Sequence, residues 1–464
     1  MEFKNLLFIV SCGLVPLVQA QTTQQIGSTT VTIDTLTSDV STPWEIKVEG
    51  NTHLWVTERS GLVSRIDLTT GVKTVVLNLT STVRAVSESG LLGMALHPDF
   101  ENTPEVFLVY TYGTPDGQGF FKERLVKYTF NGTNLINPAI LLDNILAWNN
   151  HNGSRLHFLP DNTLLMSTGE CYEDQLAQDP NSLSGKYLRL NMDGSIPANN
   201  PTSGSYVYSL GHRNSQGICA LPDGKILISE HGPSTDDELQ ILQSGKNYGW
   251  PLIHGFCDEP FENTPCGTGL YTEPIHAWTP TIATSDLVYY QNSAFPEWNN
   301  RVLMVTLNGQ RVVAMELNAT STSVMDEDQY FQGQFGRLRD IAIGPNQEIY
   351  IATNSGDHSI IRITPPTTLG TTEFQTSLFS IFPNPSNTFI QLLSENRAEQ
   401  VSILDLNGKS VLELKQVEQG TQIDISMLPV GMYSVEIKFI GVSEIQRQKF
   451  MKIASQLEQS AEIH

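Results

Sequence analysis

The sequence predicts an all-β protein, a six-bladed β-propeller followed by a small C-terminal β-sandwich. Three observations lead there. One phrase recurs six times: a turn built on Pro, Asp, Asn or Gly, then a short apolar, β-branched run, then a small polar or charged residue. Such runs suit strands buried on both faces, the condition inside a propeller blade. No long segment carries the 3.6-residue period of an amphipathic helix. The phrase also stops near Ile363, and the residues beyond it have a different rhythm.

The first copies are Gly50-Asn51 before Leu54-Trp55-Val56-Thr57-Glu58, Pro98-Asp99 before Val106-Phe107-Leu108-Val109, and Pro160-Asp161-Asn162 before Leu164-Leu165-Met166-Ser167. The others are Pro222-Asp223-Gly224 before Ile226-Leu227-Ile228-Ser229, Pro296-Glu297-Trp298 before Val302-Leu303-Met304-Val305, and Pro345-Asn346 before Ile349-Tyr350-Ile351-Ala352. Each reads as one four-stranded blade, and irregular spacing means that long loops interrupt the wheel. An array of ordinary β-sandwiches is the competing architecture. The chain therefore divides into a propeller at residues 30–364, a Thr/Pro-rich linker at 365–378, a β-sandwich at 379–453 and a tail at 454–464. In the sandwich, alternating strands such as Val401-Ser402-Ile403-Leu404 and Tyr433-Ser434-Val435-Glu436 are separated by the turns Asn407-Gly408 and Pro429-Val430-Gly431.

Composition narrows the function. The chain has 464 residues, with 49 acidic against 27 basic side chains and a net charge of −22. No Lys/Arg-rich stripe offsets that charge, so nucleic acid is not an expected partner. A hydrophobic content of 39% supplies a core and excludes disorder of the whole chain. Residues 1–20 combine Lys4, an apolar run and Ala20, the pattern of a secretory signal peptide. No later window is long enough for a membrane span. Of the cysteines beyond residue 20, Cys257 and Cys266 flank a short loop and are expected to pair, whereas Cys171 and Cys219 sit in strand-like contexts as small buried hydrophobes.

Three loops concentrate groups that could carry chemistry. In Asn149-Asn150-His151-Asn152-Gly153, His151 has the pKa range of a general base, although a lone loop histidine can equally serve packing. In Gly211-His212-Arg213-Asn214, the guanidinium fork of Arg213 suits a carboxylate or a developing oxyanion; a structural clamp between blades is the alternative. In Ser229-Glu230-His231-Gly232-Pro233-Ser234-Thr235-Asp236-Asp237-Glu238, consecutive carboxylates and a Gly-Pro turn offer the hard oxygens that calcium takes, or a solvated acidic loop. Glu88 lies just ahead of a strand, and Arg337 and Arg339, two residues apart on an extended segment, share a face and want a polyanion.

These motifs form a series. Pro43-Trp44-Glu45-Ile46, Gly90-Leu91-Leu92-Gly93-Met94-Ala95-Leu96-His97-Pro98-Asp99-Phe100, His151-Asn152-Gly153-Ser154-Arg155, Gly211-His212-Arg213-Asn214, Ser229-Glu230-His231-Gly232-Pro233, Asn247-Tyr248-Gly249-Trp250-Pro251 and Arg337-Leu338-Arg339-Asp340 occur in this order. The series resembles the soluble glucose and sorbosone dehydrogenases that use pyrroloquinoline quinone (PQQ). The resemblance implies an aldose oxidised at its anomeric carbon to a lactone, with an external electron acceptor. It makes His151 the base and Arg213 the group that steadies charge on the quinone. It assigns Asn214, His231, Arg337 and Arg339 to the cofactor, and Glu88, Asn150 and Trp278 to the sugar. The carbonyls of Gly232 and Pro233 would hold a calcium on the quinone, and Asp237, Glu238, Tyr248 and Asp258 a structural calcium. One family lysine is replaced by Asn308, which removes a cationic contact. Phe382-Pro383-Asn384-Pro385, Asp405-Leu406-Asn407-Gly408 and Gly431-Met432-Tyr433 resemble the C-terminal sorting domain of type IX secretion, implying that machinery as a partner and a secreted or cell-surface location. A non-catalytic propeller binding glycans or a protein, and a propeller lactonase with a metal at the wheel's centre, remain the rival readings.

Overall fold

The computed structural model describes residues 21–366 except 357, and 379–453 except 395–396, 406–408, 419 and 440–444. The segment expected to be a signal peptide, most of the expected linker, the tail and part of the Asp405–Gly408 motif lie outside the described residues. The chain divides into two units, residues 1–366 and 367–464.

The first unit is a ring of six antiparallel sheets. Their inner strands are Pro43–Glu49, Leu91–Leu96, Gly153–Phe158, Ser215–Ala220, Thr284–Tyr290 and Leu338–Ile343. Each packs against the next, and the last returns to the first. The six recurring phrases are the turn and second strand of the six blades. Side chains alternate along a strand, so each run feeds two interfaces. Trp55 enters the cluster between blades 1 and 2, while Leu54 and Val56 enter the one between blades 6 and 1. Leu303 and Val305 face blade 6, and Val302 and Met304 face blade 4. Burying one such side chain stabilises by about 1.5–3 kcal/mol, which is why these runs are apolar throughout.

The ring begins earlier than the sequence predicts. Thr29–Thr37 pairs with Ile360–Thr364, and Thr22–Ile26 pairs outside it, so the N-terminal segment completes the sixth blade. This pairing ties the two ends of the unit together, and Ile26, Val31 and Ile33 join the core between blades 5 and 6.

At the centre sits a buried ionic hub. Every inner strand has a register shift near its N-terminal end, and these bulges redirect side chains into the middle of the ring. Arg155 from blade 3 lies 2.7 Å from Glu45 of blade 1, 2.9 Å from Asp340 of blade 6 and 3.9 Å from Asp286 of blade 5. It also donates to the carbonyls of Gln216 and Arg339, and its guanidinium lies 4.2 Å from the Trp44 ring centroid. Lys47 pairs with the other oxygen of Glu45. Burial and the neighbouring carboxylates push Asp340 well above the usual range, whereas Arg155 and Lys47 hold Asp286 down against its own burial.

The second unit has a three-stranded and a four-stranded antiparallel sheet around a core that includes Ile390, Val401, Ile403, Val435, Ile437 and Phe450. Among the described residues, no helix is long and apolar enough to cross a membrane.

Arg155→Ala should lower the stability of the propeller by about 3–5 kcal/mol, because it leaves the buried Glu45, Asp286 and Asp340 carboxylates with Lys47 as their one remaining cation in the hub. Urea unfolding of wild type and variant checks this, with a shifted midpoint and an unchanged slope as the expected result.

Candidate active site at one mouth of the propeller

In an antiparallel blade the first strand starts, and the second ends, at the same edge. The loops before inner strands therefore share one mouth with the turns between second and third strands, and the singled-out residues fall on these connections. Glu88 precedes blade 2, Asn150 and His151 precede blade 3, Arg213 and Asn214 precede blade 4, and Arg337 precedes blade 6. His231, Gly232 and Pro233 lie between the second and third strands of blade 4.

His151 is buried, and its Nδ1 lies 2.6 Å from Glu170 Oε1. A carboxylate there keeps the ring proton on Nδ1 and leaves Nε2 with its lone pair, the state a general base needs. The local backbone is strained to present it: His151, Cys171 and Tyr172 have φ of 56°, 59° and 62°, in the left-handed region that such residues seldom adopt. Gly169 makes this possible, since a Cβ there would sit 1.8 Å from the His151 carbonyl oxygen. Tyr172, half exposed, stacks on the imidazole at a centroid distance of 4.2 Å. Asn150 donates to the Tyr172 hydroxyl at 3.3 Å while its own Oδ1 is buried without a partner. The backbone N–H of His151 approaches Glu88 Oε2 at 3.4 Å.

The cations are distributed unevenly. Among the described residues, each arginine without a salt bridge (Arg59, Arg84, Arg213, Arg311, Arg337 and Arg339) lies on or at the edge of a connection at this mouth, whereas Arg65, Arg124, Arg189, Arg301 and Arg362 are ion-paired on the strands. Arg213 donates to the carbonyl of His231 and lies over Trp250, with its Nε buried and unpartnered. Its backbone N–H is gripped by Glu230, which also binds His212 at 2.8 Å. Arg339 is buried, donates to Gln216 at 2.8 Å and has an unpartnered Nε. Burial, with the like charges of Arg155, Arg337 and Arg59, pushes its pKa down to about 9 despite Glu88. Arg337 and Arg339 come together through the bulge at Arg339 rather than by regular strand alternation. Asn214 accepts from Gly153 N–H and Gln216, leaving its amide N–H groups unused.

Two expectations require correction. Trp278 does not wall this mouth: its ring packs in the core between blades 4 and 5, and its indole N–H donates to Glu327 at 2.8 Å. Asp237, Glu238, Tyr248 and Asp258 do not converge on one ion. Asp237 and Glu238 are consecutive strand residues and face opposite ways. The Asp237 carboxylate accepts from the backbone N–H groups of Gly232 and Ile282, that of Glu238 from Gly255, and the Tyr248 hydroxyl is bound to Ile241 O, while Asp258 is exposed. Gly232 and Pro233 do fit a cation. Their carbonyl oxygens accept no hydrogen bond among the described residues, and a Cβ on Gly232 would lie 1.9 Å from Thr235 O. His231 spends Nε2 on the Thr284 carbonyl at 2.5 Å. The trio of carboxylates whose oxygens lie within 4.8 Å of one another is Glu45, Asp286 and Asp340, and it is already engaged by Arg155 and Lys47. Cys257 and Cys266 form a disulfide, and Cys171 and Cys219 are free and buried.

Glu170, Tyr172 and Arg59 escaped the sequence reading. A signal existed: the recurring phrase ends in a charged residue at Glu58 and Glu230, and Glu170 succeeds the third run in the same way.

A six-bladed wheel with an imidazole–carboxylate pair beside an unpaired arginine cluster defines a propeller that offers a candidate base next to an anion-binding surface. Residues 40–362 match the model of the Glucose / Sorbosone dehydrogenase family, and the chain belongs to that family. Residues 380–452 match the Secretion system C-terminal sorting domain, which supports type IX export to the cell surface or the extracellular space. The chain is 29% identical over 371 residues to aldose sugar dehydrogenase YliI of Escherichia coli (strain K12), covering 76% of this chain and 98% of that protein. It is 27% identical over 402 residues to quinoprotein glucose dehydrogenase B of Acinetobacter calcoaceticus, covering 68% and 84%. The PQQ-bound aldose sugar dehydrogenase of Streptomyces coelicolor superposes with a TM-score of 0.62 at 29% identity, covering 72% of this chain and 97% of that one. These relationships support a PQQ-dependent dehydrogenase.

Glu170→Gln should lower kcat by about 10²-fold with little change in KM, because the amide no longer holds the imidazole proton on Nδ1. Steady-state kinetics over a range of sugar concentrations checks this.

Proposed function

We propose that this chain is an exported, calcium-dependent quinoprotein that oxidises the anomeric carbon of an aldose to the lactone. The observation that carries the reading is the His151–Glu170 pair set beside guanidinium groups that have no carboxylate partners, in a chain of net charge −22. Unpaired, partly buried cations cost stability and point to an anionic ligand. PQQ carries several carboxylates and, when bound, supplies a two-electron acceptor for the hydride of the sugar.

Arg337 and Arg339 would pair the cofactor carboxylates, Arg213 would offer its guanidinium to a quinone oxygen, and the amide of Asn214 would donate to the cofactor. The carbonyls of Gly232 and Pro233 would hold calcium. His151 Nε2 removes the proton of the anomeric hydroxyl, and the Glu170 carboxylate stabilises the resulting imidazolium through Nδ1. Glu88 and Asn150 accept and donate hydrogen bonds to the sugar hydroxyls, and the exposed face of Tyr172 replaces Trp278 as the aromatic surface beside the base.

A non-catalytic binder is the second reading, favoured by the exposed, uncharged Asn308 at the position where the family has a lysine. The lactonase reading is disfavoured, because Arg155 and Lys47 already engage the carboxylates at the wheel's centre.

The test adds PQQ and calcium to purified protein, tracks the quinone absorbance, then adds a panel of aldoses with a dye acceptor. Saturable uptake and sugar-dependent bleaching are expected; no uptake at micromolar PQQ would favour the binder. His151→Ala should abolish turnover while leaving quinone uptake intact, and a fully active variant would sink the assignment. Chelation with EGTA should weaken quinone binding and lower the Tm of the loaded protein.

A further inference from the structure

We propose that Arg59 is a carboxylate-binding residue of the cofactor cradle, a cation from blade 1 that completes the set contributed by the Arg213 loop and by Arg337 and Arg339. The inference rests on the proposed quinone chemistry and extends it to a residue outside the recognised motifs.

Arg59 occupies the turn between the second and third strands of blade 1, at the active-site mouth. Its backbone is pinned on both sides: its N–H donates to Thr42 O at 3.1 Å, and its carbonyl accepts from Leu91 N–H at 2.9 Å. The residue is therefore locked at the joint between the inner strands of blades 1 and 2. Its stem runs across Gly90, where a Cβ would lie 2.3 Å from the Arg59 carbonyl oxygen and 2.4 Å from its Cγ, so glycine here admits both the backbone and the stem of Arg59. Gly90 has φ of 150° and directly succeeds Glu88-Ser89, which places the arginine stem beside the Glu88 loop.

The guanidinium forms no hydrogen bond or salt bridge within the described residues, although the side chain is half buried. It is held in place without a partner, and the charges that act on it and on Arg339 identify the space it faces. Glu88 is the shared acidic neighbour of both, and Arg59 and Arg339 repel one another. A single carboxylate cannot satisfy Arg59, Arg337 and Arg339, so this corner of the mouth carries excess positive charge. A ligand carboxylate relieves that excess by forming charge-assisted hydrogen bonds, the strongest that a guanidinium makes.

The experiment measures the Kd for PQQ, without sugar and with calcium present, by quenching of tryptophan fluorescence in wild type, Arg59→Gln and Arg59→Lys. The glutamine variant should weaken binding by about tenfold, the scale of one charge-assisted bond. The lysine variant keeps a cation on a similar stem but loses the planar fork, so its affinity should fall between those of wild type and Arg59→Gln, which separates loss of binding from loss of folding. Unchanged PQQ affinity in Arg59→Gln would overturn the assignment. So would unchanged affinity together with a raised sugar KM, which would make Arg59 a partner of Glu88 instead. Absence of quinone binding by the wild-type protein would overturn the cofactor reading itself, a result distinct from either.

Discussion

The buried guanidinium of Arg155 is the interaction on which the rest depends. Blades 1, 3, 4 and 6 meet on this one side chain through Glu45, the Gln216 carbonyl, Asp340 and the Arg339 carbonyl. Blade 5 adds Asp286. Blade 2 contributes space: a Cβ on Gly93 would lie 1.9 Å from Ser154 O, so only glycine lets blades 2 and 3 close to this distance. A propeller has no strand crossing its axis, and apolar contacts join only neighbouring blades. A central charge network can instead tie several blades at once, provided that every buried charge has partners.

The hub is also the floor of the site. Arg155 and Ser285 bind the Arg339 carbonyl, and Gln216, whose own carbonyl serves Arg155, receives the Arg339 side chain. Trp44 lies against both guanidinium groups, 4.2 Å from Arg155 and 5.8 Å from Arg339. The scaffold thus fixes Arg339, at the mouth, through the same atoms that hold the wheel together. Catalytic arrangements need positions fixed to fractions of an ångström, and rigid strand ends supply this better than free loops.

Charge is organised by position rather than by amount. The chain is strongly acidic, yet at the mouth Glu170 and Glu230 are taken up by His151 and His212, whereas the carboxylates that form salt bridges with arginine do so on the strands, with Arg65, Arg124, Arg189, Arg301 and Arg362. The left-handed residues Ser87, His151, Cys171, Tyr172, Asp236 and Ala283 lie on connections at the same mouth. Strain and unpaired charge coincide there, as expected where a surface is built to receive a ligand.

The sequence by itself determined the blades, because continuous apolar runs record burial on both faces, and it determined the motif residues around His151, Arg213 and Arg339, because each sits beside a turn that marks a strand end. It also marked Cys257 and Cys266 as a pair across a short loop. Tertiary structure alone decided the closure of the ring by residues 22–37, since pairing partners more than 300 positions apart leave no local pattern. It decided the role of Arg155, which reads locally as a strand residue and becomes a hub only when five blades converge. It decided against Trp278 as a pocket wall, because an indole at the end of an outer strand packs into the nearest interface. It brought Glu170 to His151 and put Arg59 within the electrostatic reach of Glu88, relations between separate loops whose geometry is set by the wheel and not by the spacing of residues along the chain.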